Sequence, residues 1–193
     1  MQETPDPNVS DQLRSREDEL LAIRCQLGEA SAFDALIRRW HRPLLEYIRR
    51  QAGRDDVAAD IAQDAWLRVF RGIGRLRDAA NLRAWLFGIA RRTWMDHLRA
   101  HYAAPRHADA EGLDDVADEA APLDARLDLD ALQREVARLP ALERDVLTLF
   151  HLEELALSDI AQVLAVPLGT VKSRLHRARR LLRRELEVQG EPR

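Results

Sequence analysis

The sequence holds one cysteine, Cys25, and one lysine, Lys172, among its 30 basic residues. A single cysteine excludes an internal disulfide and any metal site built from cysteines alone. Cys25 falls within a helical pattern, which makes a buried structural thiol its expected role. Arginine supplies the other 29 basic residues; so lopsided a ratio, with much Ala and Leu, fits a GC-rich coding bias, although the two side chains are not physically equivalent. Long apolar runs are missing: none would span a bilayer, and the N-terminus lacks the apolar core of a signal peptide. The expectation is a soluble, cytoplasmic protein that does not insert into membranes. Strand-like alternation, hairpin signals and internal repeats are absent as well. So are a phosphate-binding glycine loop and a nucleophile elbow. The six histidines are scattered. His97 and His101 lie four apart on a helical pattern, but HLRAH lacks the glutamate of a metalloprotease motif and no third ligand is evident. A surface pair is therefore expected, with no catalytic residue, metal or cofactor.

What is present is helical periodicity in two blocks. The net charge of -3 over 193 residues gives no hint of nucleic acid, but the distribution of charge does. Residues 1–15 are polar with two prolines and read as a disordered tail. From Arg16, Leu20, Leu21, Ile23 and Leu27 fall in one apolar sector, and Gly28 marks a stop. Phe33, Leu36, Ile37, Trp40, Leu44 and Ile48 recur at three or four in a second helix, which Pro43 is expected to kink or break. Gly53 ends it. A third helix runs from Asp55 to Arg71. Val57, Ile61, Ala65, Val69 and Phe70 form its apolar face; Asp60, Gln63, Asp64, Leu67 and Arg68 lie on the opposite side. The loop Gly72–Asn81 carries Arg75, Arg77 and Asp78, and Asn81 is placed to cap a fourth helix. That helix has two apolar stripes, Leu82, Trp85, Leu86, Ile89 and Phe87, Trp94, Leu98, with Arg91, Arg92 and Arg99 between them.

Residues 103–130 change character, with nine acidic residues against two arginines and two prolines. They read as a solvated, flexible linker. A short helix, Leu129 to Leu139, follows, and Pro140 opens the next, with Leu142, Val146, Leu149 and Phe150 apolar. Then comes the most informative stretch, Leu155 to Arg184. Ser158 is placed to cap a short helix with Ile160, Val163 and Leu164 on one face. The pattern stops at Ala165-Val166-Pro167-Leu168-Gly169, and Pro167 suits the start of a second helix. There Val171, Leu175, Ala178, Leu182 and Leu186 form one stripe. The other face is basic, with Lys172, Arg174, Arg177, Arg180 and Arg184, and no acidic residue occurs from Thr170 to Arg184. Two helices around a tight turn, the second basic outside, describe a DNA-reading helix-turn-helix. A basic amphipathic helix on a membrane or a bundle surface would explain the charge but not the helix and turn in front of it.

The string SDIAQVLAVPLGTVKSRLHRARRLLRREL resembles region 4 of bacterial sigma factors of the extracytoplasmic-function group, within the sigma-70 family. DDVAADIAQDAWLRVF resembles region 2.2 of the same family, and NLRAWLFGIARRTWMDHLRAHY its regions 2.3 and 2.4, with Arg92 standing where the family commonly has Asn. The resemblance implies an all-α protein of two small helical domains, an N-terminal bundle and a C-terminal helix-turn-helix, joined by the acidic linker. The expected boundaries are 1–15 tail, 16–102 region 2-like, 103–127 linker, 128–187 region 4-like and 188–193 tail. It implies core RNA polymerase and promoter DNA as partners, an anti-sigma factor as regulator, and a monomer when free of partners. Asp60, Gln63 and Asp64 match the family's polymerase-binding face. Arg75, Arg77, Asn81, Arg92 and Trp94 are candidates for reading the -10 element as an unwound strand, by stacking and backbone contacts. Thr170, Lys172, Ser173, Arg174, His176 and Arg177, on the first turns of the last helix, are candidates for the -35 element. A second reading stays open: a stand-alone helix-turn-helix regulator whose N-terminal bundle dimerises or senses a signal. Retention of core polymerase separates the two.

Overall fold

The structure, a computed structural model, describes residues 7–101 and 129–190, with side chains for 12–101 and 134–184. The linker at 103–127 lies outside the described residues, as do residues 1–6 and 191–193. All the described regular structure is helical: α1 (Pro7–Gln26), α2 (Ala30–Ala52), α3 (Asp55–Gly72), 3-10 turns at Ile73–Arg75 and Ala79–Asn81, α4 (Leu82–His101), α5 (Leu129–Arg138), α6 (Ala141–His151), α7 (Leu157–Leu164) and α8 (Leu168–Gly190). The chain divides into two compact units at His101/Tyr102.

In the first unit α2 packs on α1, α3 and α4. Leu36, Leu44, Ile48, Ile61, Val69, Leu82 and Leu86 are fully buried between them. Phe87 of α4 sits at the centre, meeting the rings of Trp40 and Tyr47 edge-on at centroid distances of 6.2 and 5.5 Å, the geometry that aromatic quadrupoles favour. One buried carboxylate ties α1 to α2: Asp18 accepts from the Trp40 indole (3.2 Å) and pairs with Arg39 (2.6 Å). Burial nonetheless outweighs these partners and raises the Asp18 carboxyl above its ordinary range.

Four expectations change. α1 begins at Pro7, inside the stretch assigned to a tail; proline is pre-organised for a helix's first turn, and Arg39 reaches back to the Arg14 carbonyl and Glu17. At the other end α8 runs to Gly190, so 188–190 are helical. The buried face of α1 is Asp18, Leu21, Ala22 and Cys25, whereas Leu20, Ile23 and Leu27 are exposed. Finally, α2 passes through Pro43 unbroken. The proline forfeits one backbone bond, but buried Trp40, Leu44, Tyr47 and Ile48 flank it and fix both halves of the helix against the core.

Helix ends follow local chemistry. At Gly28 (φ 81) the amide of Glu29 bonds the Arg24 carbonyl and that of Gly28 the Cys25 carbonyl, a Schellman stop. The same paired bonds close α7, where Val166 N–H meets Ala161 O and Ala165 N–H meets Gln162 O, but here the left-handed position holds Ala165 (φ 55). Ser158 does not cap α7. The helix starts at Leu157, two residues earlier than such a cap would set it, Ala156 is its cap without a side-chain bond, and the Ser158 hydroxyl reaches Asp159. Pro167 opens α8 through its carbonyl, which accepts from Thr170 and Val171.

The second unit packs α8 against α5, α6 and α7. Val171, Leu175, Ala178 and Leu182 are buried as one stripe, facing Val136, Leu139, Val146, Leu147, Leu149, Ile160, Val163 and Leu164. The helical period alone accounts for this face.

Candidate nucleic-acid interface

The loop between α3 and α4 is held from below by α1. Gln26, the last residue of α1, donates its side-chain amide to the carbonyls of Ile73 (3.2 Å) and Leu76 (2.7 Å). Ile73 and Leu76 are buried, so the loop is pinned by two apolar anchors and one amide. The start of α4 is not capped by Asn81. Asp78 caps the preceding 3-10 turn, accepting from Ala80 N–H at 3.1 Å and from Asn81 Nδ2 at 2.8 Å. Asp at the first position of a short turn is a signal legible in the sequence. Arg75 and Arg77 are exposed, with no hydrogen bond or ion pair among the described residues. At the loop's entrance Trp85 lies so close to Gly72 that a Cβ there would meet its ring at 3.3 Å. Trp85, from an apolar stripe of α4, thus packs against the end of α3.

Of the candidates for an unwound strand, the structure brings Arg75, Arg77 and Asn81 together. Arg92 and Trp94 lie farther along α4; eleven residues at ~1.5 Å each put Arg92 about 16 Å from Asn81. The Arg92 guanidinium folds back over Gly88. Asp96, one turn on, pairs with Arg68 of α3 at 2.5 Å and with Arg99. These partners hold the Asp96 carboxyl below its ordinary range. Trp94 is half-buried and nearly parallel to His97, which in turn stacks on His101 with centroids 4.1 Å apart. Among the described residues no cluster of three or more His, Cys, Asp or Glu could hold a metal.

The outer face of α3 is exposed at Asp60, Gln63 and Asp64. It continues into two exposed apolar residues, Leu67 and Phe70. The sequence places Phe70 in the buried stripe, but the stripe ends at Val69 and Phe70 turns outward, its ring 5.0 Å from that of Phe33 of α2. Ile37, one turn beyond Phe33, is exposed too.

On α8, Lys172, Arg177 and Arg180 are exposed, while Thr170, Ser173 and His176 are half-exposed. Ser173 donates its hydroxyl to the Thr170 carbonyl (3.1 Å), which leaves its lone pairs available outward. Arg174 differs from its neighbours. It flanks the buried stripe, and its Nη1 is buried with no hydrogen-bond partner, so only part of the guanidinium faces outward. Beneath the basic face, α6 offers buried Glu143, which meets Arg177 at 3.4 Å.

Two family models match the chain, sigma-70 region 2 over residues 36–103 and sigma-70 region 4 over residues 129–182. The RNA polymerase sigma-H factor of Pseudomonas aeruginosa is 32% identical over 186 residues, covering 91% of this chain and 96% of that protein. The ECF RNA polymerase sigma factor SigM of Mycobacterium tuberculosis is 38% identical over 168 residues, covering 87% of this chain and 83% of its own. Among solved structures, the sigma factor RpoE of Bartonella quintana, crystallised with the anti-sigma factor NepR, superposes with a TM-score of 0.64 at 26% identity, over 81% of this chain and 97% of that one. The two matched regions define a sigma-70-type initiation factor, one that directs RNA polymerase to promoters. Within that class, the chain belongs to the extracytoplasmic-function group of the sigma-70 family. The stand-alone regulator is not the favoured reading.

Proposed function

We propose that the two units divide promoter recognition, joined by the acidic linker at 103–127. In the first, Asp60, Gln63 and Asp64 of α3 form the polar part of the polymerase-binding face, with Leu67 and Phe70 as its apolar anchor. Interfaces draw most of their energy from such desolvated anchors ringed by polar groups. Asn81 reads a base of the unwound -10 strand, and Arg75 and Arg77 follow its backbone. Arg92 and Trp94 meet the nucleic acid farther along α4. In the second unit, Lys172, Ser173, His176 and Arg177 of α8 face the -35 major groove, Thr170 reaches a flanking phosphate, and Arg174 contributes from the edge of the helix. The observation that carries the reading is the sidedness of α8: its apolar stripe is buried to Leu182 while its outer face carries no acidic residue from Thr170 to Arg184. The factor acts in the cytoplasm, as a monomer when free, without catalysis or a cofactor of its own. An anti-sigma factor restrains it; the Bartonella relative was crystallised in complex with one.

The test is promoter binding by the full chain with and without core polymerase. Tight, specific binding should require the polymerase, and charge reversal at Asp60 and Asp64 should weaken polymerase retention with helicity intact. Tight specific binding by the free chain would defeat the proposal.

A further inference from the structure

The proposal here rests on Asn81 as a base contact and concerns its partner. We propose that Asp78 fixes the direction of the Asn81 side-chain amide, so that the loop selects a base carrying an exocyclic amine over one carrying a keto oxygen. Both Asp78 carboxylate oxygens are engaged inside the turn, Oδ1 with the Ala80 N–H at 3.1 Å and Oδ2 with Asn81 Nδ2 at 2.8 Å. An ionised carboxylate only accepts hydrogen bonds, so the Asn81 amide must turn its NH2 group toward it. The Asn81 carbonyl oxygen is thereby committed to the other side, and Asn81 is only half-exposed.

The frame around this pair is stiff. Leu76 and Leu82 are buried on either side of it, and Gln26 holds the Leu76 carbonyl. A free asparagine presents donor and acceptor alike and discriminates little. One locked by Asp78 presents an acceptor. Adenine and cytosine place an amine donor where guanine and thymine place a keto acceptor, and on an unwound strand that edge is open to a side chain. Asp78 is thus a positioning residue that sets specificity through Asn81 without touching the base.

Substitution of Asp78 by Asn separates this role from support of the turn. Its side-chain oxygen still accepts from Ala80 N–H, but its NH2 group now faces Asn81 and turns that amide over. The experiment measures base preference at each -10 position, by transcription from a randomised promoter library with polymerase holoenzyme. Unfolding temperature and -35 preference are recorded alongside as readouts that a lost fold would move. Wild type should favour adenine or cytosine at one position. D78N should shift that position toward guanine or thymine by about tenfold, the scale of one exchanged hydrogen bond. The double variant D78N/N81D should restore the amine preference, because a carboxylate at position 81 accepts on both sides. If N81A leaves every -10 preference unchanged, the reading of Asn81 as a base contact fails. If N81A flattens one position while D78N keeps the amine preference there, the orienting role of Asp78 is overturned and the contact stands. Loss of preference in D78N without rescue in the double variant overturns it too.

Discussion

The side-chain amide nitrogen of Gln26 lies 2.7 Å from the carbonyl oxygen of Leu76, across fifty positions of sequence. It joins the end of α1 to the middle of the loop that leads into α4. Gln26→Met keeps the length of the side chain and removes both donated bonds. The first unit should lose about 1 kcal/mol. Hydrogen exchange should quicken at the amides of 75–81 while those of α3 hold their rate. Equal quickening in both would mean that Gln26 supports the whole unit rather than this loop.

Phe70 is exposed and touches Phe33 at the surface. If it anchors the polymerase, Phe70→Ala should weaken core binding by roughly ten- to a hundredfold, the range of a hot-spot residue. Thermal unfolding should change little, since the side chain leaves no cavity in the core. The measurement is a titration of labelled factor with core enzyme. Leu27→Ala is the control, an exposed apolar residue in the turn just past α1.

Ala165 holds the left-handed position between α7 and α8. A Cβ in that region costs about 1–2 kcal/mol, while glycine adds entropy to the unfolded chain worth about 0.4–1 kcal/mol. Ala165→Gly should therefore stabilise the second unit by about 0.5–1 kcal/mol in denaturant unfolding followed by NMR. Destabilisation would show that the turn relies on the Ala165 methyl group.

His151 lies on the exposed end of α6, within reach of the Arg179 guanidinium (3.4 Å), and its proton affinity is lowered first by partial desolvation of the ring and then by the arginine's charge. A histidine whose folded value lies below its unfolded one takes up its proton more readily when unfolded. Its contribution is thus fully present above about pH 6.5 and is lost as pH falls from there through the folded value. An NMR titration of the His151 ring should give a midpoint below that of an unfolded peptide. His151→Gln should flatten the second unit's loss of stability between pH 7 and pH 5. A midpoint above the peptide's would reverse the sign.

Where a side chain's role follows from periodicity, the sequence reveals it. The stripe Val171, Leu175, Ala178 and Leu182 needed only the helical repeat, and Cys25 is buried as its position implies. Roles that depend on neighbours distant in sequence did not show. Leu20, Ile23 and Leu27 satisfy an apolar sector as well as Leu21 does, yet α2 and the loop cover only the side bearing Asp18, Leu21, Ala22 and Cys25. Phe70 sits one residue past the last buried position of α3, where a small rotation decides between core and surface. Gln26 could not have been connected with Leu76 without the fold, and Arg174 looked like its basic neighbours until the edge of the core enclosed one of its nitrogens.

The contact between Arg177 and Glu143 bears on how binding should respond to ionic strength. An exposed arginine that meets a phosphate releases condensed small ions from the DNA, and each such neutralisation steepens the salt dependence. Arg177 already has a tethered counterion, a carboxylate on α6 only 9% exposed. When a phosphate claims the guanidinium, that carboxylate stays behind and repels the same phosphate, opposing the ion release that Arg177 would otherwise drive. The number of charges on the face of α8 therefore overstates the slope the second unit can show. The tethered acid softens its grip on arbitrary DNA, a useful property in a reader that must leave wrong sequences quickly.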